Sequence, residues 1–119
     1  MPEKSTLKNG ATTTRMHSAT GGIWSITTNP FRPDLGRNAA FSENFQTLAA
    51  LIERAPNHVR LVRTASDYRR AKAAGAHSVF IGVQGGNAFE SDPLLFEAYA
   101  DSLVKVTLLH LTNSGYGAT

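Results

Sequence analysis

Val79-Phe80-Ile81-Gly82-Val83-Gln84-Gly85-Gly86-Asn87 reads VFIGVQGGN. An unbroken apolar run, Val79 to Val83, ends in a side-chain amide and two glycines. A short run of this kind, bounded by turn residues, is the pattern of a strand covered on both faces. The strand is expected over His77–Gln84, and it brings one polar side chain to its end before the chain turns. Strands without polar alternation belong to parallel sheets, whose two faces are both buried, so this stretch points to a parallel α/β fold.

The flanking sequence extends the pattern. Gly21–Thr28, GGIWSITT, is rich in β-branched and aromatic residues and stops at Asn29-Pro30, as a strand entering a loop does. Phe41, Phe45, Leu48, Ile52 and Ala55 follow at spacings of four, three, four and three, which is one face of a helix. That helix is expected to begin at Ser42 or just before it and to close before Pro56. Val59–Arg63, VRLVR, is a second short strand, and Thr64-Ala65-Ser66-Asp67 supplies capping residues for a helix ending at Gly75. Asp92-Pro93 is an N-cap and first-turn pair for a helix to about Ser102, before a fourth strand through Val104–Leu111, VKVTLLHL.

The order βαβαβαβ predicts four parallel strands arranged in chain order, with right-handed crossovers and the helices on one side. In such folds ligands collect at the carboxyl ends of strands. Gln84 and His110 both fall there, each followed by turn residues. Four strands leave two open edges, nothing before Gly10 reads as a structural element, and the chain stops at NSGYGAT just after a strand. The expected architecture is therefore one partial (β/α) barrel domain over residues 1–119, a segment of a TIM-type barrel from a longer catalytic domain. Its open edges leave room for a homodimer or an aggregate.

Composition narrows the function classes. Of 119 residues, 41% are hydrophobic and 18% charged, as in a globular domain rather than a disordered chain. No apolar run approaches a membrane span, and the first ten residues, MPEKSTLKNG, lack the apolar segment of a signal peptide, which leaves the cytoplasm as the default compartment. The absence of cysteine excludes disulfides, thiolate zinc sites and cysteine nucleophiles. The net charge is +3, and Arg54, Arg60, Arg63, Arg69, Arg70 and Lys72 cluster. They are not interleaved with aromatic residues in a stacking pattern, so a solvated helix face is expected and no nucleic-acid partner.

Together, TGGIWSITT, the helix after it, LVRTASDYRRAKAAGAHSVFIGVQGGNAF and VKVTLLHLTNS resemble the N-terminal half of the membrane dipeptidases, the renal-dipeptidase-like peptidase family M19. The family pattern is a strand ending Gly-Val-Glu-Gly-Gly, a helix, and a strand ending Leu-Thr-His with an Asn shortly after. Here these read Gly82-Val83-Gln84-Gly85-Gly86 and Leu108-Leu109-His110, with Asn113 beyond. The resemblance implies an amidohydrolase-type barrel that holds two zinc ions and cleaves dipeptides. It implies that Gln84 stands where the family's metal-bridging Glu stands, and that His110 contacts the substrate. It also implies that the other ligands, a first-strand His-x-Asp pair and two later histidines, lie outside this chain.

The departure at Gln84 has a chemical meaning. A bridging carboxylate offers an anionic oxygen to each of two metals, whereas an amide has one neutral oxygen and an NH₂ that only donates. Gln84 cannot replace that bridge, which leaves the complete protein with one metal, with two held by other ligands, or with the fold but without dipeptidase chemistry; the competing role for Gln84 is an amide bonded to a neighbouring loop. His110 is read as a substrate contact, against a core histidine satisfied by backbone. His17-Ser18-Ala19 has no carboxylate and precedes its strand, so it does not substitute for the His-x-Asp pair. His58 and His77 are at the wrong end of the strands for a barrel site, Trp24 and Phe31 are assigned to packing, and Asn87 and Asn113 to turns. Two functions follow: part of a zinc-dependent dipeptidase-like hydrolase acting on small dipeptides, or a non-catalytic barrel relative binding a small amide or other ligand. In either case the chain alone is expected to bind no zinc.

Overall fold

The computed structural model describes residues 20–118. His17 and its neighbours lie outside the described residues. The elements are β1 (Gly21–Thr27), α1 (Asp34–Arg54), β2 (Val59–Leu61), α2 (Ala65–Ala73), β3 (His77–Gln84), a 3₁₀ turn (Gly86–Phe89), α3 (Pro93–Tyr99), a second 3₁₀ turn (Ala100–Ser102) and β4 (Leu103–Thr107). All pairings between these strands are parallel, in one open four-stranded sheet. It is the arc of an incomplete barrel.

The strands are not arranged in chain order. β3 is central: β1 runs along one side of it, from Gly21 opposite Ser78 to Thr27 opposite Gln84. β2 pairs with the start of β3, opposite His77–Val79, and β4 pairs with its end, opposite Ile81–Gln84. At three residues β2 is too short to cover the whole of β3, and the uncovered remainder takes β4.

Alternation along β3 sorts its side chains onto two faces. Val79, Ile81 and Val83 are at most 1% exposed and form one core with Ile26 and with Phe41, Phe45 and Ile52 of α1. This is the helix face foreseen from the four-three spacing. Phe41 extends the core, its ring meeting Phe89 edge-on at 4.8 Å and Tyr99 at 5.1 Å. α1 begins earlier than expected, at Asp34 after Pro33, with no side-chain cap. The early turns are held instead by Arg37, a buried residue in a stretch that reads as polar loop.

α2 has the cap its sequence promised. Thr64 Oγ1 accepts from the Asp67 amide at 3.1 Å, and Asp67 accepts from the Thr64 amide at 3.2 Å and the Arg63 amide at 3.1 Å. Donation from the Arg63 backbone, first, and then from the Thr64 side chain holds the Asp67 carboxyl below its ordinary pKa. α2 also sends Tyr68 to the sheet face opposite α1, where its ring lies 6.2 Å from Phe80. β4 stops at Thr107, and the continuation expected through Leu111 is an irregular segment with Leu111 at φ 66°.

Candidate functional site

The carboxyl ends of three strands meet in register, Thr27 opposite Gln84 opposite Thr107. Residues level with one another on parallel strands share a face, so these three polar side chains form a row on the sheet face turned away from α1. Gln84 is exposed, and its Oε1 accepts from Thr27 Oγ1 at 3.4 Å. Thr107 Oγ1 accepts from the Gly85 amide at 2.9 Å. One register step below lie Ser25, Gly82 and Lys105. Lower still, an open groove of about 500 Å³ is lined by Ile23, Phe80, Val104 and Tyr68.

The turn after Gln84 fixes the row. The Thr28 amide donates to the Gln84 carbonyl at 3.0 Å, and Thr28 Oγ1 donates to the Gly85 carbonyl at 3.3 Å. Gly85 has φ 108°, a conformation suited to glycine. A Cβ there would stand 2.7 Å from Asn87 Oδ1 and 3.3 Å from the Cβ of His110. His110 therefore stands at the same end of the sheet as Gln84, although it lies three residues past β4 and is half-buried rather than on the strand.

The other residues singled out in the sequence separate from this rim. His58 is exposed, and His77 starts β3 at the opposite end, its ring 6.1 Å from Trp24. Neither Trp24, at 38% exposed, nor Phe31, at 78%, is among the buried packing residues. Asn87 is no surface turn residue: the left-handed Gly85 swings the chain inward and buries Asn87 to 4% exposure in the 3₁₀ turn. Thr27, Thr107, Arg37 and Glu90 were not foreseen. The two threonines are recognisable only from strand register, and nothing in the local pattern marks Arg37 as buried.

An apolar cleft of about 350 Å³ lies between α3 and the segment after β4, lined by Phe89, Pro93, Phe96, Val106, Leu108 and Tyr116 among others. Neither Gln84 nor His110 lines it.

The rim does not fit a zinc ion. Among the described residues no group of three or more His, Asp or Glu side chains could hold a metal. At the rim itself the donors are a neutral amide oxygen, already accepting from Thr27, and one imidazole. A catalytic zinc takes about three protein ligands. What the row offers instead is hydrogen bonding, since the Gln84 NH₂ can donate to a carbonyl or carboxylate while its oxygen stays on Thr27.

No curated protein matches the sequence. The structure is similar to that of an amidohydrolase from Pseudomonas aeruginosa, with a TM-score of 0.73 and 22% identity over 89% of this chain. The chain spans 31% of that protein's length, and at this identity the likeness is one of fold. The sequence family described as membrane dipeptidase, peptidase family M19, matches residues 4–119. That match runs through β1, the Gly82–Gly86 turn and the His110 segment, the parts that build the rim, and on it the chain belongs to the membrane dipeptidase family, peptidase family M19.

Proposed function

We propose that the chain forms one wall of the substrate rim of a dipeptidase-type hydrolase. The observation that carries this reading is the family match over residues 4–119, which takes in both Gln84 and His110. In this reading the imidazole of His110 contacts the dipeptide, and the Gln84 NH₂ donates to one of its carbonyl or carboxylate oxygens. In this reading the parallel sheet fixes Gln84, and the Gly85 turn brings it beside the segment that carries His110. In this family zinc polarises the scissile carbonyl and supplies hydroxide near neutral pH. The rim residues here do not make a zinc shell, so they are assigned binding and orientation. A second reading, a relative that binds a small amide without cleaving it, is favoured by Gln84 itself, because one amide side chain pairs with another through complementary donor and acceptor.

Calorimetric titration of the 119-residue chain with zinc, together with a dipeptide hydrolysis assay, tests the assignment. The expected result is neither tight zinc binding nor turnover. Gln84→Glu should leave that unchanged, since a single added carboxylate does not complete a coordination shell. Stoichiometric submicromolar binding with turnover in the unmodified chain would overturn the role given to Gln84. Perturbation of the Gln84 side-chain NH₂ resonances by a simple amide such as acetamide, as large as that caused by a dipeptide, would favour the second reading.

A further inference from the structure

A guanidinium leaves water only where acceptors meet its donors. The Arg37 side chain on α1 is 10% exposed. Its Nε donates to the Asn87 carbonyl at 3.1 Å, Nη1 to the Arg32 carbonyl at 2.6 Å, and Nη2 to Glu90 Oε2 at 3.4 Å. The second oxygen of Glu90 accepts from the amide of Gly115. Next to it, Tyr116 Oη donates to the Phe89 carbonyl at 3.4 Å, and Ser114 and Gly117 close a small bridge. On the other side of His110, Thr107 is bonded to the Gly85 amide. The stretch carrying His110 is thus tied, before and after it, to the single turn that follows Gln84.

We infer that Arg37 and Glu90 are positioning residues for His110, acting through the Gly115 amide to seat the segment after β4 against the Gly85–Phe89 turn. Arg37 orients the Glu90 carboxylate from inside the fold, and the carboxylate reaches outward to the segment. The functional consequence rests on His110 as a substrate contact, but the positioning does not.

The test is nuclear magnetic resonance of the isotopically labelled 119-residue chain without ligand, comparing Glu90→Ala, Glu90→Gln and Arg37→Lys with the unmodified sequence. A hydrogen bond to a charged group shifts local opening by about tenfold or more. Glu90→Ala should therefore raise the Gly115 amide exchange rate by about that factor and move the His110 ring resonances, with the β3 amides unmoved. Glu90→Gln keeps a side-chain oxygen for Gly115 and should restore most of both signals, which a general loss of packing would not do. Arg37→Lys should shift His110 in the same direction as Glu90→Ala, because one ammonium does not span three acceptors. If Arg37→Lys unfolds the chain, the partly exposed Glu90 variants decide alone. Unchanged Gly115 exchange and His110 resonances in Glu90→Ala, with β3 intact, would overturn the inference. With no ligand present, that failure says nothing against His110 as a substrate contact. A separate dipeptide titration of the same variants reads the substrate contact: a moved His110 with unchanged dipeptide affinity would remove that contact and leave the positioning in place.

Discussion

The two faces of β3 differ in how far the described residues complete them. Toward α1, Val79, Ile81 and Val83 are shut away with Phe41, Phe45 and Ile52. Toward the other side, Ile23 is 52% exposed and Val104 40%, and Lys105 and Gln84 are open to solvent. The first face is a core in the ordinary sense, and the second is an inner barrel wall with its polar row at the top. Packing and the open polar row are thereby separated across one strand: alternate residues of VFIGVQ turn toward the core and toward the open face.

The strongest way to break that separation is to truncate one large side chain on each face. Phe41→Ala should cost about 3–5 kcal/mol in urea unfolding, since it empties a site 2% exposed and ringed by Phe45, Phe89 and Tyr99. A loss below about 1 kcal/mol would mean that the α1 face is not the core. Gly85→Ala comes next, at about 1–3 kcal/mol, because it places a Cβ 2.7 Å from Asn87 Oδ1 on a backbone of positive φ. The same change should displace the His110 ring signals, joining the hidden face to the rim through one residue.

A smaller effect comes from α2. The Asp67 carboxyl has its pKa lowered from 3.8, first by the Arg63 backbone amide, so its contribution is present above the unfolded value. That contribution is lost as pH falls through the depressed folded value. Unfolding free energies of the unmodified chain and Asp67→Asn should therefore differ at neutral pH, begin to approach one another as pH falls past 3.8, and converge once it has passed the depressed folded value. A gap that stays constant through acid would separate the cap from the charge. Smallest of all is Ile23→Ala on the open face, expected within about 0.5 kcal/mol of the unmodified chain. A larger loss would show that the open face is covered in solution.

These contrasts follow what a sequence can carry. β3 was legible to the residue, because an apolar run bounded by Gly75 and Gly85-Gly86 states its own limits. The Thr64–Asp67 cap was legible for the same local reason. The start of α1 was not, since Asp34–Ala40 depends on a buried arginine two of whose acceptors, at Asn87 and Glu90, are 50 and 53 residues away. Nor was the strand order, because periodicity says that Val59–Leu61 is a strand but not which part of which neighbour it meets. Of the rim, Gln84 and His110 were visible as chain-end polar residues. Thr27 and Thr107 join them only through register, which is a relation between strands rather than a property of any one of them.

The placing of two strands along one side of β3 also bears on the order in which the chain folds. β2 meets β3 across the short excursion through α2, whereas Thr27 and Gln84 stand 57 residues apart in sequence. Closing the longer loop costs about 1 kcal/mol more in chain entropy, since each doubling of length adds about 0.6 kcal/mol. The three-residue strand, the slightest in the sheet, is therefore recruited by β3 before β1 is, and the early βαβ unit from Val59 to Gln84 gives β1 a template to dock on. In folding kinetics, substitutions in β2 and α2 should slow folding, and those in β1 should chiefly speed unfolding.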